Sequence, residues 1–222
     1  MPIAPVARLK KDEIVWLASH RCKHSHTYLE HYSCYISENP NRGTIGFFDI
    51  ETSNLAANYG IMYCYCILDN ATNKIYERTI TSHELKSGDM DKRVVQQCVN
   101  DLKRFDRVVT YYGTKFDISY IRSRAVYHGI DFPAYGEIVH TDLYYVVRHK
   151  FRLNSNRLAT ACEFLLGNTN KTAINFNFWI KAMGGDKESL KYITEHCEYD
   201  VIDLKRLYNK IIPYKKRLDV SV

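Results

Sequence analysis

A chain of 222 residues, 45% of them hydrophobic, is long enough to bury one sizeable core and too apolar to be a disordered polymer. No apolar run nears the roughly 18 residues that span a bilayer, and residues 1–11 lack the apolar core of a secretory signal, so no membrane association is expected. Seven cysteines, most of them inside apolar segments, fit reduced thiols of a cytoplasmic protein better than a disulfide framework, and a net charge of +6 points mildly to a polyanionic partner.

Residues 1–10 read as a loose arm and Lys11–Ser19 as a short helix. Between His20 and Cys34 the chain places four histidines and two cysteines in 15 residues. The spacings Cys22-x3-His26 and His31-x2-Cys34 each let two ligands face one structural Zn²⁺. The predicted zinc knuckle therefore uses Cys22, His26, His31 and Cys34, with His24 competing for the place of His26. The rival reading is a polar loop with unrelated histidines. The turn cluster Asn39-Pro40-Asn41-Arg42-Gly43 then separates an N-terminal segment, 1–43, from a core domain, 44–213, and a basic tail, 214–222.

The core domain opens with a strand at Thr44–Glu51, followed by strands at Ile61–Leu68 and Lys74–Thr81. The short turn Asp69–Asn73 predicts that the last two pair antiparallel. Apolar residues at 94, 95, 98, 99, 102 and 105 carry the helical period through Asp91–Phe105. A strand at Arg107–Tyr111 breaks at Gly113 and leads to a helix over Phe116–His128. A strand at Ile138–Leu143 and a helix at Leu158–Leu166 follow. Residues 168–185 are polar, anchored by Phe176, Phe178 and Trp179, and a long helix runs from Lys187 to Ile212, stopped by Pro213. The order of elements predicts an α/β fold with a mixed sheet flanked by helices.

Four acids stand out in this frame. Asp49 and Glu51 lie one residue apart on the first strand, so both point to one face, and Ile45, Phe47, Phe48 and Ile50 make that strand an interior one. Two carboxylates there are costly unless a cation lies between them, and a hard divalent ion is the usual solution. Taken alone, the pair reads first as two solvated acids at a strand end, and the other acids of the chain decide for the metal. Asp117 stands where strand gives way to helix, a position that an acid also occupies simply to complement the helix N-terminus. On the last helix, Ile193, Cys197, Asp200, Leu204, Leu207 and Ile211 are spaced 4, 3, 4, 3, 4 and form one stripe whose single acid is Asp200. A carboxylate in such a stripe needs a partner, either a local donor or a metal. His196 lies one turn before it.

Together, Phe48-Asp49-Ile50-Glu51-Thr52, Thr110-Tyr111-Tyr112-Gly113-Thr114-Lys115-Phe116-Asp117-Ile118 and His196-Cys197-Glu198-Tyr199-Asp200-Val201 resemble the three motifs of the DEDD 3′–5′ exonucleases of the ribonuclease H-like superfamily. The nearest likeness is to the proofreading domains of family B DNA polymerases and their stand-alone relatives. It covers about residues 44–212. The chain departs from the pattern at Tyr112, where the family usually has Asn, and at His196, four residues before Asp200 instead of five. A second frame of the third motif, Tyr199-x-x-x-Asp203, competes with the first.

The resemblance implies a ribonuclease H-like sheet and hydrolysis of phosphodiester bonds at a nucleic-acid 3′ end. Asp49, Glu51, Asp117 and Asp200 would hold two Mg²⁺ or Mn²⁺ ions, with His196 orienting the attacking water or taking its proton. Single strands, DNA or RNA, would be held by aromatic stacking and by phosphate contacts from Lys115, Arg122, Arg124, Lys171 and the tail Lys215 to Arg217. A structure-specific endonuclease and a non-catalytic nucleic-acid-binding module are the alternatives, and retention of all four acids argues against the latter.

Overall fold

The computed structural model describes residues 9–39, 42–172 and 175–215, and the backbone of 220–221. A six-stranded mixed sheet in the order β3-β2-β1-β4-β5-β6 forms the centre. Strands β1 (Ile45–Thr52), β2 (Met62–Asp69) and β3 (Ile75–Thr79) make an antiparallel meander. Asp69 builds the β2–β3 turn, its carboxylate accepting from Ala71 N at 2.8 Å, and Asn73 takes the left-handed conformation there at φ 60°. On the other side of β1, strands β4 (Arg107–Thr110) and β5 (Val139–Asp142) run parallel to it, and β6 (Val220–Ser221) closes the edge antiparallel. Gly46 allows the close approach of β1 to its neighbours, because a Cβ there would lie 2.7 Å from Ile67 and 2.9 Å from Phe105.

Helices cover both faces of the sheet. Tyr65 of β2 donates to Asp101 of α4 (Lys92–Leu102) at 2.6 Å, while Cys66, the next residue, faces Cys197 of α9 (Lys187–Ile211). Helix α9 crosses β1 and β2, and α7 (Leu158–Leu166) and α8 (Phe176–Met183) pack against it. Helix α5 (Asp117–Tyr127) lies beside α4, and Arg124 on it pairs with the buried Asp91 at 2.5 Å. The stripe on α9 is inside as expected: Ile193, Cys197, Leu204, Leu207 and Ile211 are all buried. Burial of each leucine or isoleucine contributes about 1.5–3 kcal/mol, and this fixes the rotation of the helix and so the direction of Asp200.

Several elements differ from the sequence expectation. Residues 143–150 form helix α6 (Leu143–Lys150), started by Asp142, whose side chain accepts from Tyr144 N. Within the polar stretch 168–185, Asn175 caps α8 by accepting from Asn177 N. The short helices α2 (Tyr32–Glu38) and α3 (Ser82–Lys86) lack a readable period at their length. The last helix ends at Ile211, just before Pro213 as expected, and the chain then passes through that proline in a single 3₁₀ turn, Ile212–Tyr214. Pro40, Asn41, Lys216 and Arg217 lie outside the described residues.

The N-terminal segment packs on the β5 side of the sheet. Leu17 of α1 (Lys11–Ser19) and Tyr32 and Ile36 of α2 form a small core with Val139 of β5. Arg107 of β4 is fully buried and donates from one guanidinium nitrogen to the Ile36 carbonyl and from the other to Thr141 Oγ1. All seven cysteines are free thiols, and no helix among the described residues is long and apolar enough to cross a membrane.

Candidate active site

The parallel pairing of β1 with β4 puts the end of β1 and the turn after β4 at the same edge of the sheet. Asp49 and Glu51 stand opposite Cys66 and Cys64 in the antiparallel register, and so point to the face that α9 covers. Cys197 of α9 donates its thiol to the Asp49 carbonyl at 3.4 Å, which ties that helix to β1 beside the acids. Asp49 and Glu51 are half-buried, and Asp117, His196 and Asp200 are buried.

A constrained turn sets Asp117. Tyr112 takes the left-handed conformation at φ 69°, unusual for a residue with a side chain. A Cβ at Gly113 would lie 2.3 Å from Thr110 Oγ1, so glycine alone fits there. Asp142 holds the turn, accepting from Tyr112 N at 2.8 Å and Thr114 N at 3.0 Å. Asp117 then opens α5 and accepts from Ile50 N of β1 at 3.3 Å. The chain thus links the first and second motifs by a hydrogen bond as well as by strand pairing.

One ligand atom each from Glu51, His196 and Asp200 lie within 4.8 Å of one another. His196 Nε2 is 3.9 Å from Glu51 Oε1, and its Nδ1 is 2.8 Å from Thr172 Oγ1. Lys171 reaches into the same group and donates its ammonium to Asp200 Oδ2. The other oxygen, Asp200 Oδ1, is buried without a hydrogen-bond partner among the described residues.

The electrostatics follow from this crowding. Burial, and then the charges of Asp117, Asp200 and Glu51, push the Asp49 carboxyl well above its ordinary value. Burial and Asp200 push Glu51 up to about 8, and burial, with Asp142 and Asp200 adding to it, pushes Asp117 up to about 7. Burial works against the charge on Lys171, but attraction to Asp200, Asp49 and Glu51 outweighs it and holds the ammonium above its usual range. Burial pulls the His196 imidazole down, favouring its neutral form. Among the described residues the site is thus an anionic cluster that holds the Lys171 ammonium and the neutral His196 imidazole. An unpaired buried carboxylate oxygen beside two further carboxylates and an imidazole is a donor set that fits hard divalent ions.

Two expected phosphate contacts have other partners. Arg124 is buried in a network in which Asp91 accepts from Arg124 Nε at 2.9 Å and lies 2.8 Å from His128 Nε2. Lys171 is paired with Asp200, as described. Lys115 and Arg122 are exposed, and the guanidinium of Arg122 lies 5.5 Å from the centre of the Phe132 ring. No sequence signal marked Lys171, Thr172 or Asp142 for these roles. The first two lie in an aperiodic segment, and Asp142 acts through backbone donors that a pattern search does not see.

The two candidate acids of the third motif have different surroundings. Asp203 is completely buried and accepts from Thr169 Oγ1 at 2.6 Å, Asn170 N and Nδ2 at 2.7 Å each, and Arg206 at 2.8 Å. Its oxygens are engaged in holding the 168–171 segment. Tyr199 is 40% exposed on the same helix.

A second group forms in the N-terminal segment, where Cys22, His24, His31 and Cys34 each bring one ligand atom within 4.8 Å of the others. His26 is outside it. The Cys22 amide donates to the His26 carbonyl at 2.9 Å, closing a turn with Ser25 at φ 67°, and the tip residue His24 turns its ring toward the sulfurs. His26 Nδ1 is buried without a hydrogen bond, its ring centroid 5.4 Å from that of His31. Burial, and then the neighbouring Cys22 sulfur, push the Cys34 thiol up to about 11.

The chain thus combines a mixed α/β sheet with carboxylates gathered at one strand edge. The model of the RNase_H superfamily matches residues 46–212, so the chain belongs to that superfamily. No curated protein matches it. Among solved structures, the family B DNA polymerase of the hyperthermophilic archaeon Pyrobaculum calidifontis is similar in fold, with a TM-score of 0.63 and 18% identity over 78% of this chain. The match spans 25% of the polymerase. The ribonuclease H-like fold and the likeness to a family B polymerase, both expected from the motifs, are found.

Proposed function

We propose that the chain is a metal-dependent 3′–5′ exonuclease that hydrolyses single-stranded nucleic-acid ends. The observation that carries this reading is the convergence of Asp49, Glu51, Asp117, Asp200 and His196 on one edge of the sheet, with a buried oxygen of Asp200 unpaired. In this reading Asp49, Glu51, Asp117 and Asp200 hold Mg²⁺ or Mn²⁺. When bound, such ions activate water and neutralise the charge that develops on the leaving 3′ oxygen.

The chain's own groups supply the rest. With His196 Nδ1 engaged by Thr172, Nε2 faces Glu51 and is free to orient the attacking water and accept its proton. The oxygen of that water bonds to phosphorus, and the bond to the 3′ oxygen breaks. The burial that keeps His196 neutral maintains the lone pair that this step needs. Exposed Tyr112, beside the turn that sets Asp117, offers a ring on which a terminal base can stack. The acids' raised proton affinity in the metal-free chain supports the same reading, since bound cations relieve it.

Release of labelled mononucleotides from a 3′-labelled strand, dependent on Mg²⁺ or Mn²⁺, tests the proposal. Asp49→Ala and Asp117→Ala should abolish release, and Asp49→Ala should leave the melting temperature of the metal-free protein unchanged or raise it, because it removes a carboxylate from a crowded cluster. Full activity in the Asp49→Ala protein would overturn it.

A further inference from the structure

The group at Cys22, His24, His31 and Cys34 shares no residue with the acid cluster, and the exonuclease reading does not use it. Its donor atoms are arranged as a closed set. Cys34 Sγ lies 3.3 Å from His24 Nδ1, Cys22 Sγ lies 3.5 Å from His31 Nδ1 and 3.9 Å from His24 Nδ1, and Cys34 Sγ lies 3.9 Å from His31 Nε2. For an ion with Zn–S and Zn–N bonds of about 2.3 and 2.0–2.1 Å, the sulfur–nitrogen edge of a tetrahedron is roughly 3.6 Å. The three separations that use one nitrogen per ring, to His24 Nδ1 and His31 Nδ1, bracket that edge, and one ligand atom from each of the four residues lies within 4.8 Å of the others.

The local fold supplies these positions from two rigid pieces. The turn 22–26, closed by the Cys22–His26 backbone bond and flanked by pairing of Arg21 with Thr27, presents Cys22 and His24. The start of α2 presents His31 and Cys34, one turn apart, with Cys34 N bonded to the His31 carbonyl at 3.0 Å. Two sulfurs and two imidazoles select a borderline-soft ion over Mg²⁺ or Ca²⁺. Four protein ligands leave no open position, the mark of a structural rather than a catalytic site.

The segment also has a use for a staple. Its own core is small, with Leu17, Tyr32 and Ile36 buried against Val139, and it contains no disulfide. We propose that Cys22, His24, His31 and Cys34 bind one structural Zn²⁺ that fastens the 21–27 turn to α2. Both cysteines bind as thiolates, so their two protons leave to solvent, and the histidines bind neutral. The ion acts beyond its ligands through α2, whose Ile36 carbonyl accepts from the buried Arg107 of β4. Metal loss therefore loosens residues 9–39 and the β5 edge that they cover.

The test uses the full chain purified without chelators. Elemental analysis should find about one zinc per chain. After removal of that zinc, added Co²⁺ should give the absorption of a tetrahedral thiolate site, and hydrogen exchange should speed up in residues 9–39 and at β5 while β1, β2 and β3 stay protected. Cys34→Ser and His24→Asn should lose the zinc and the cobalt spectrum, and His26→Asn should keep both. Should the first two fail to fold, the wild-type zinc content and cobalt titration decide alone. Wild-type protein without zinc and without a cobalt spectrum overturns the site, and loss of metal from the His26→Asn protein overturns the ligand set.

Discussion

Lys171 places its ammonium against Asp200, inside the group of acids that the three motifs bring together. Asp49 and Glu51 attract the same charge. In the metal-free chain this lysine is therefore the counter-ion of the cluster, in the position that a divalent cation would contest. Lys171→Met should destabilise the metal-free protein by on the order of a few kcal/mol at pH 8 or above, since one side of a largely buried ion pair is lost. It should also tighten Mn²⁺ binding, because the competitor is gone. Calorimetric titration of wild type and variant checks both, and weaker Mn²⁺ binding in the variant would show that Lys171 assists the metals instead of competing with them.

The two frames of the third motif make opposite predictions. Asp200 has a buried oxygen with no partner, whereas Asp203 is saturated by Thr169, Asn170 and Arg206. Asp200→Asn should remove activity. Asp203→Ala should cost about 2–3 kcal/mol, typical for hydrogen bonds to a buried charge, and leave catalysis in the surviving folded protein. His196→Ala should lose about 10²-fold or more in rate, the range for a positioned acid–base group. The Asp203 and Tyr199 frame would be right if Asp203→Asn and Tyr199→Phe stopped the reaction while Asp200→Asn and His196→Ala remained active.

His140 gives the fold a pH dependence of its own. It is buried on β5 with Nε2 2.8 Å from Thr110 Oγ1, and burial, opposed by Asp142, lowers it from 6.5 to about 4. Between these values the unfolded chain binds a proton that the folded chain refuses. The stabilising effect of keeping His140 neutral is therefore complete above about pH 6.5 and is lost as pH falls toward about 4, by at most about 3 kcal/mol. Urea midpoints at pH 7 and pH 5 should differ in wild type and differ less in His140→Gln. An equal drop in both proteins would assign the pH dependence elsewhere.

What the sequence made legible were features fixed by local period. Alternation on β1 put Asp49 and Glu51 on one face, and the α9 stripe aimed Asp200 inward, because many apolar side chains enforce each orientation. The family motifs then related these pieces across the chain. What stayed hidden depends on tertiary contacts. Lys171 sits in a stretch without period, and its direction is set by Asp203 gripping Thr169 and Asn170 just before it. His24 and His26 are indistinguishable by spacing, and only the turn at Ser25 decides which ring meets the sulfurs. Arg124 read as a surface cation because its partner, Asp91, is 33 residues away. Helices α2 and α3 are 7 and 5 residues long, too short to show a period.

The proposed activity is metal-dependent removal of nucleotides from a free 3′ end. Its most direct measurement is a time course with Mn²⁺ on a 5′-labelled single strand, run beside the same strand with a blocked 3′ terminus, on both DNA and RNA. The free strand should shorten one nucleotide at a time, the blocked strand should persist, and chelator or Asp49→Ala should stop all cleavage. Equal internal cutting of both strands, or no cleavage of either nucleic acid with metal present, would contradict the account.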